Sequence, residues 1–224
     1  MLEIIATTIE DAIRIEEGGA DRIELVSALT EGGLTPSYAL IKNVVQSVSI
    51  PVNVMIRPHA KSFRYTEAEI KLMTEDIQIA KELKANGVVL GVLDDKNEID
   101  IPSLESLLQV CDGIDVTFHR AFDELVDPLK GLELLTSYRQ ISNVLTSGGK
   151  GNILNNLDVL RNISLNVKQL RILVGGGLNF ANIREVMAHS MASDYHFGTA
   201  VRENNSVIGE IDRKRIRELV HIMR

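Results

Sequence analysis

Short apolar runs recur along the chain, each followed by a polar or glycine-rich turn and then a stretch with helical periodicity. The runs cover Leu2–Thr7, Arg22–Ser27, Val52–Arg57, Val88–Leu93, Asp115–Arg120, Asn143–Ser147, Arg171–Gly175 and Asp194–Gly198. Strands separated by helix-length segments form right-handed βαβ units, which build a parallel sheet. Eight units averaging about 28 residues fit the short end of the size range of (β/α)8 barrels. The pattern predicts an α/β fold: a single-domain (β/α)8 TIM barrel over residues 1–224, with an open doubly wound sheet as the alternative. No Pro/Ser-rich linker or low-complexity tract divides the chain.

Helix starts support this segmentation. Thr8 with Asp11, and Thr66 with Glu69, have the spacing of capping boxes. In Thr35-Pro36-Ser37, Thr35 reads as an N-cap with proline at the first helical position. Ile70, Met73, Ile77 and Ala80 recur every three or four residues and mark a buried helical stripe.

Alternation along the strands separates the two faces of the sheet. Val52, Val54 and Ile56 form a wholly apolar face that suits packing against helices, leaving Asn53, Met55 and Arg57 inside. The same logic turns Glu3, Ile5 and Thr7 inward, with Glu24, Thr117, His119, Ser147 and His196. Polar interior residues late in their strands gather at the C-terminal rim, where barrel enzymes place their chemistry.

Charge and composition narrow the partners. Acidic residues outnumber basic ones 31 to 24, for a formal charge of -7, and no Lys/Arg stripe offsets this field. With no tryptophan and 4% aromatics, a base-stacking platform is also lacking, so nucleic acid is not an expected partner. No apolar run approaches the roughly 20 residues that span a bilayer, and Met1-Leu2-Glu3 does not open a signal peptide. No membrane association is expected, and the expected location is the cytoplasm. The single cysteine, Cys111, precedes the fifth strand and reads as a small buried hydrophobe rather than a disulfide partner.

The densest chemistry lies in Thr117-Phe118-His119-Arg120-Ala121-Phe122-Asp123. His119 is a candidate general acid or base, or a metal ligand, with Asp123 placed to orient it. A core histidine beside a surface Arg–Asp pair is the structural alternative. Glu24 and Arg57, at the ends of neighbouring strands, could pair inside the barrel, or Arg57 could take an anionic ligand. Pro58 to Tyr65 has the basic and aromatic make-up of a lid, or of a solvated loop. Gly175-Gly176-Gly177 and Phe197-Gly198-Thr199-Ala200 follow the last two strands, where barrels often bind phosphate, and Asn179 could cap the helix after the first. Glycine also ends strands for steric reasons alone. The chain has no C-x-x-C, H-x-x-x-H or EF-hand pattern.

Gly19-Ala20-Asp21-Arg22-Ile23-Glu24-Leu25, Glu31-Gly32-Gly33-Leu34-Thr35-Pro36-Ser37, Ile56-Arg57-Pro58, Thr117 to Asp123 and Leu145-Thr146-Ser147-Gly148 together resemble the CutC family of copper homeostasis proteins. The resemblance implies a barrel, a cytoplasmic location, a homo-oligomer and an association with copper(I). It points to Glu24, Arg57, His119, Arg120, Asp123 and Ser147 as a pocket. Many relatives place cysteines in the first strand and directly after the Glu-Leu of the second, where this chain has Ile5, Ala6 and Val26. Before the aromatic of the third-strand loop, where relatives often have Asp, stands Ser62. Copper(I) prefers thiolate and thioether ligands, so a copper site here would draw on Met55, His119 and His196.

Two functions are thus expected from the sequence. One is copper(I) binding. The other is an enzyme acting on a small anionic metabolite, a class that includes phosphorylated compounds. In the second, His119, Asp123 and Glu24 supply the catalytic groups, and Arg57, Arg120, Ser147, Gly176, Gly177 and Thr199 bind the ligand.

Overall fold

A computed structural model describes residues 1–167 and 169–224. Eight parallel strands close in sequence order into a barrel: β1 (Leu2–Ala6), β2 (Arg22–Leu25), β3 (Val52–Met55), β4 (Gly87–Leu90), β5 (Asp115–Phe118), β6 (Ile141–Thr146), β7 (Arg171–Val174) and β8 (Asp194–Phe197). The helices between and after them are α1 (Ile9–Gly18), α2 (Tyr38–Ser47), α3 (Glu67–Glu82), α4 (Ile101–Leu108), α5 (Pro128–Thr136), α6 (Leu157–Asn166), α7 (Ile183–Ser190) and α8 (Arg213–Met223). Pairing of β1 with β8 closes the ring, with Glu3 opposite His196, and excludes an open sheet. Among the described residues, no helix is long and apolar enough to cross a membrane.

Each strand ends sooner than its apolar run suggests, because the last residues leave the ladder to build the rim. Ser27 turns into an antiparallel bridge with Leu34, and Leu93 into one with Ile99. β6 instead begins two residues before its predicted start, at Ile141, which pairs with Val116.

Thr66 and Glu69 form the expected capping box, and Ile70, Met73, Ile77 and Ala80 are buried on α3. The Thr8 box is displaced. Thr8 accepts from the Asp11 N–H, but the Asp11 carboxylate accepts from Thr7 and from the buried Arg202. Thr35 caps no helix. Its hydroxyl accepts the Arg57 N–H at 2.8 Å and its own N–H donates to the Arg57 carbonyl, while Ser37 caps α2. The proline therefore stands before the helix, and Thr35 ties the loop after β2 to the end of β3.

Val52, Val54 and Ile56 belong to the large core between strands and helices, as their shared face requires. Inside the barrel, Val26, Met55 and Val89 form a small separate cluster with Ile5 and Leu29. Cys111 lies buried just before β5, at the opposite end from the rim. Its thiol donates to the Leu107 carbonyl at 3.2 Å, and burial pushes its pKa up to about 12.

Candidate functional site

The C-terminal ends of the strands surround a cavity of about 560 Å³. Glu24, Met55, Arg57, His119, Arg120, Asp123, Gly176, Gly177, His196 and Thr199 all line it, so residues from β2 to the turn after β8 meet in one place. Ser147 stands behind this wall and bonds to Arg120 and Asp123.

His119 follows β5 and begins a short 3-10 turn, Arg120–Glu124. Its Nδ1 accepts the Ala121 N–H at 3.2 Å, so the neutral ring carries its proton on Nε2, which is buried without a partner among the described residues. Burial and the nearby Arg57 charge push its pKa down to about 3. Near neutral pH the ring is therefore an uncharged N–H donor. Phe63 packs against it at 4.8 Å between ring centres.

Asp123 does not orient His119. Its carboxylate accepts from the Thr146 hydroxyl at 2.5 Å, from the N–H and hydroxyl of Ser147, and from Arg120 Nε at 2.8 Å. This anchor lays the Arg120 guanidinium across Gly176, where a Cβ would come within 2.8 Å of its Cζ. With φ +94°, Gly176 also has a backbone conformation that favours glycine. Asn179 caps the turn before α7 by accepting the Ala181 N–H, while α7 itself starts after Asn182.

Arg57 and Glu24 are not an ion pair. Arg57 is 8% exposed; its Nη1 donates to the carbonyls of Glu31 and Gly33 at 3.1 and 3.2 Å, and its guanidinium lies 4.8 Å from the centre of the Phe63 ring. Among the described residues its Nε has no partner and no carboxylate lies within salt-bridge distance. Phe63, from the lid-like segment, thus touches both Arg57 and His119.

Glu24 belongs instead to a charged group on the cavity floor. His196 Nδ1 contacts Glu3 at 2.7 Å, His196 Nε2 lies 3.7 Å from Glu24, and Arg22 Nε donates to the other Glu3 oxygen. Burial raises the Glu24 pKa to about 7. Burial opposes the charge on His196 as well, but the two carboxylates hold its pKa above the usual histidine value. Glu3 is held below the usual carboxylate range: burial would raise it, but the His196 hydrogen bond and the Arg22 charge outweigh that effect.

Glu3, Glu24 and His196 are close enough to share a cation, but Arg22 already supplies positive charge there. Glu3 and Arg22 were not among the candidate site residues, although strand parity turned Glu3 inward. The signal that finds them is closure: β8 must return beside β1.

The model of the CutC family matches residues 1–201. The copper homeostasis protein cutC homolog of Homo sapiens is 40% identical over 197 residues, covering 88% of this chain and 72% of its own. A family protein CutC of Histophilus somni (strain 2336) is 39% identical over 209 residues, covering 93% and 86%. The crystal structure of a Streptococcus agalactiae protein that bears the CutC name is similar with a TM-score of 0.83 and 32% identity, covering 89% of this chain and 98% of that one.

Proposed function

This chain belongs to the CutC family; from that membership we propose a part in copper homeostasis, and from the rim cavity we propose, as a separate reading, that it binds a small anionic ligand anchored by Arg57. The observation that carries this reading is a buried guanidinium with no carboxylate partner among the described residues. A buried charge is costly unless it is compensated, and the two carbonyls on Nη1 supply only partial negative charge. An anion entering the cavity would complete the pairing. Arg120, about half exposed and fixed by Asp123, and the exposed Lys150 add positive charge around the cavity.

Direct chelation of copper(I) fits these side chains less well. Met55 offers a thioether and His119 a nitrogen, but no thiol lines the cavity. The Arg57 and Arg120 charges that weaken proton binding at His119 would also oppose a cuprous ion. His196 already contacts Glu3 through Nδ1 and faces Glu24 through Nε2.

The test is thermal unfolding with inorganic phosphate, sugar phosphates and small carboxylates. A ligand at 100 times its Kd adds about 2.7 kcal/mol, or roughly 5–10 °C in Tm for a domain of this size. Arg57→Ala should abolish the shift. No shift for wild type with any of these anions would sink the reading.

A further inference from the structure

We propose that the cavity catalyses proton transfer at carbon on a small α-hydroxycarbonyl compound bearing a phosphate or carboxylate, with Glu24 moving the proton and His119 Nε2–H donating to the carbonyl oxygen. The inference rests on the anionic-ligand reading above and adds the reaction to it.

Its first support is the contrast among the carboxylates at the site. Both oxygens of Glu3 are engaged, by His196 and Arg22, and Asp123 is held by Thr146, Ser147 and Arg120. Glu24 lines the same cavity, yet its Oε1 is buried without a partner among the described residues. The charged groups around it are Glu3 from β1, Arg22 from its own strand and His196 from β8, with neutral Asn53 opposite on β3. A carboxyl group held near neutrality is suited to take and return a proton.

The second support is His119. A neutral imidazole committed through Nδ1 to the Ala121 N–H can donate only through Nε2, and that atom has no partner among the described residues. Phe63 holds the ring on one side, and glycine at position 91 leaves room for it. Such a fixed, desolvated donor stabilises negative charge developing on an oxygen. Arg57 would hold the anionic end of the same molecule.

The step balances without a metal, oxidant or reductant. The Glu24 carboxylate takes the proton from the carbon bearing the hydroxyl group. The C–H electron pair becomes the new C=C bond, and the carbonyl π pair moves to its oxygen, which accepts the His119 hydrogen bond. The hydroxyl proton passes between the two oxygens, and Glu24 returns its proton to the former carbonyl carbon. The product is the isomeric α-hydroxycarbonyl compound.

The experiment incubates the protein in D2O with dihydroxyacetone phosphate, ribose 5-phosphate or hydroxypyruvate. Proton NMR follows deuterium entering the carbon next to the carbonyl, and the Tm shift with each probe is measured in parallel. At least one probe should both raise Tm and exchange, and the phosphate and carboxylate arms show which anion is taken. Glu24→Gln should keep the Tm shift and lower the exchange rate by about 100-fold or more. Glu24→Asp, which shortens the reach and keeps the charge, should also slow exchange and serves if the Gln variant does not fold. Binding of one or more probes to wild type with exchange in none of them overturns the proton-transfer inference alone, as does unchanged exchange in these variants. No Tm shift with any probe overturns the anionic-ligand reading and the inference with it.

Discussion

Gly91 lies against the His119 ring: a Cβ at position 91 would come within 2.5 Å of Nδ1 and 2.6 Å of Cε1. The ring can thus occupy its place after β5 only because the residue just beyond β4 has no side chain. Gly91→Ala should displace the imidazole and break its bond to the Ala121 N–H, at a cost of about 1–3 kcal/mol. Calorimetric unfolding would show the loss, and a shift of the His119 ring resonances would locate it. Wild-type stability together with unmoved resonances would refute the fit.

His119 should stay neutral down to strongly acid pH. Its folded pKa of about 3 lies below the ordinary histidine value, so the unfolded chain binds the extra proton first. The associated stability is fully present above about pH 6.5 and is lost as pH falls toward 3. His119→Asn should reduce this acid-side loss. A ring that titrates near 6.5 by NMR would overturn the assignment.

The floor group predicts the opposite slope. Glu24 and His196 both have raised pKa values in the folded protein, Glu24 to about 7. Their protons stabilise the fold at low pH, and that contribution is lost as pH rises through the folded pKa values. Because the groups interact, they titrate together rather than singly. Glu24→Gln should flatten the fall in Tm between about pH 4.5 and 7. A parallel pair of Tm–pH curves would remove Glu24 as the cause.

Much of this site was legible because strand alternation is local. The apolar face of Val52, Val54 and Ile56 sends Arg57 inward with Asn53 and Met55, and the same parity collects Glu3, Glu24, His119 and His196. Partner choice was not legible, because it depends on closure and on rim loops. Residues 193 apart make the Glu3–His196 contact, and Glu24 follows His196 rather than Arg57. Arg57 instead meets carbonyls of the turn around Gly33, whose course is fixed by the Ser27–Leu34 bridge and by Thr35. The spacing of His119 and Asp123 suggested a pair, but the 3-10 turn between them directs Asp123 toward β6.

That turn makes Asp123 a structural anchor for Arg120. Replacing its carboxylate with the amide in Asp123→Asn removes the charge and leaves one oxygen to accept where two did. The hydrogen bonds from Thr146 and Ser147 are buried, while Arg120 is about half exposed and adds little by itself. The expected loss is about 2–4 kcal/mol, read by denaturant unfolding, with weaker anion-induced stabilisation as Arg120 loses its hold. Unchanged stability would mean that another acceptor takes over these donors.

The last prediction concerns copper itself. Two of the positions where relatives carry cysteines hold Ile5 and Val26 here, and these pack in the inner cluster with Met55 and Val89. Cys111, at the far end and with its pKa raised to about 12, cannot substitute for them. Wild type should therefore compete for copper(I) no better than background against a chromophoric chelator under reducing conditions. Ile5→Cys with Val26→Cys would place two thiols beside the Met55 thioether, a donor set that copper(I) prefers. This double variant should gain one-to-one binding, and Met55→Ala in its background should weaken it. Tight binding by wild type that His119→Ala weakens would reverse the order of the two functional readings and make the cavity a copper site despite its guanidinium groups.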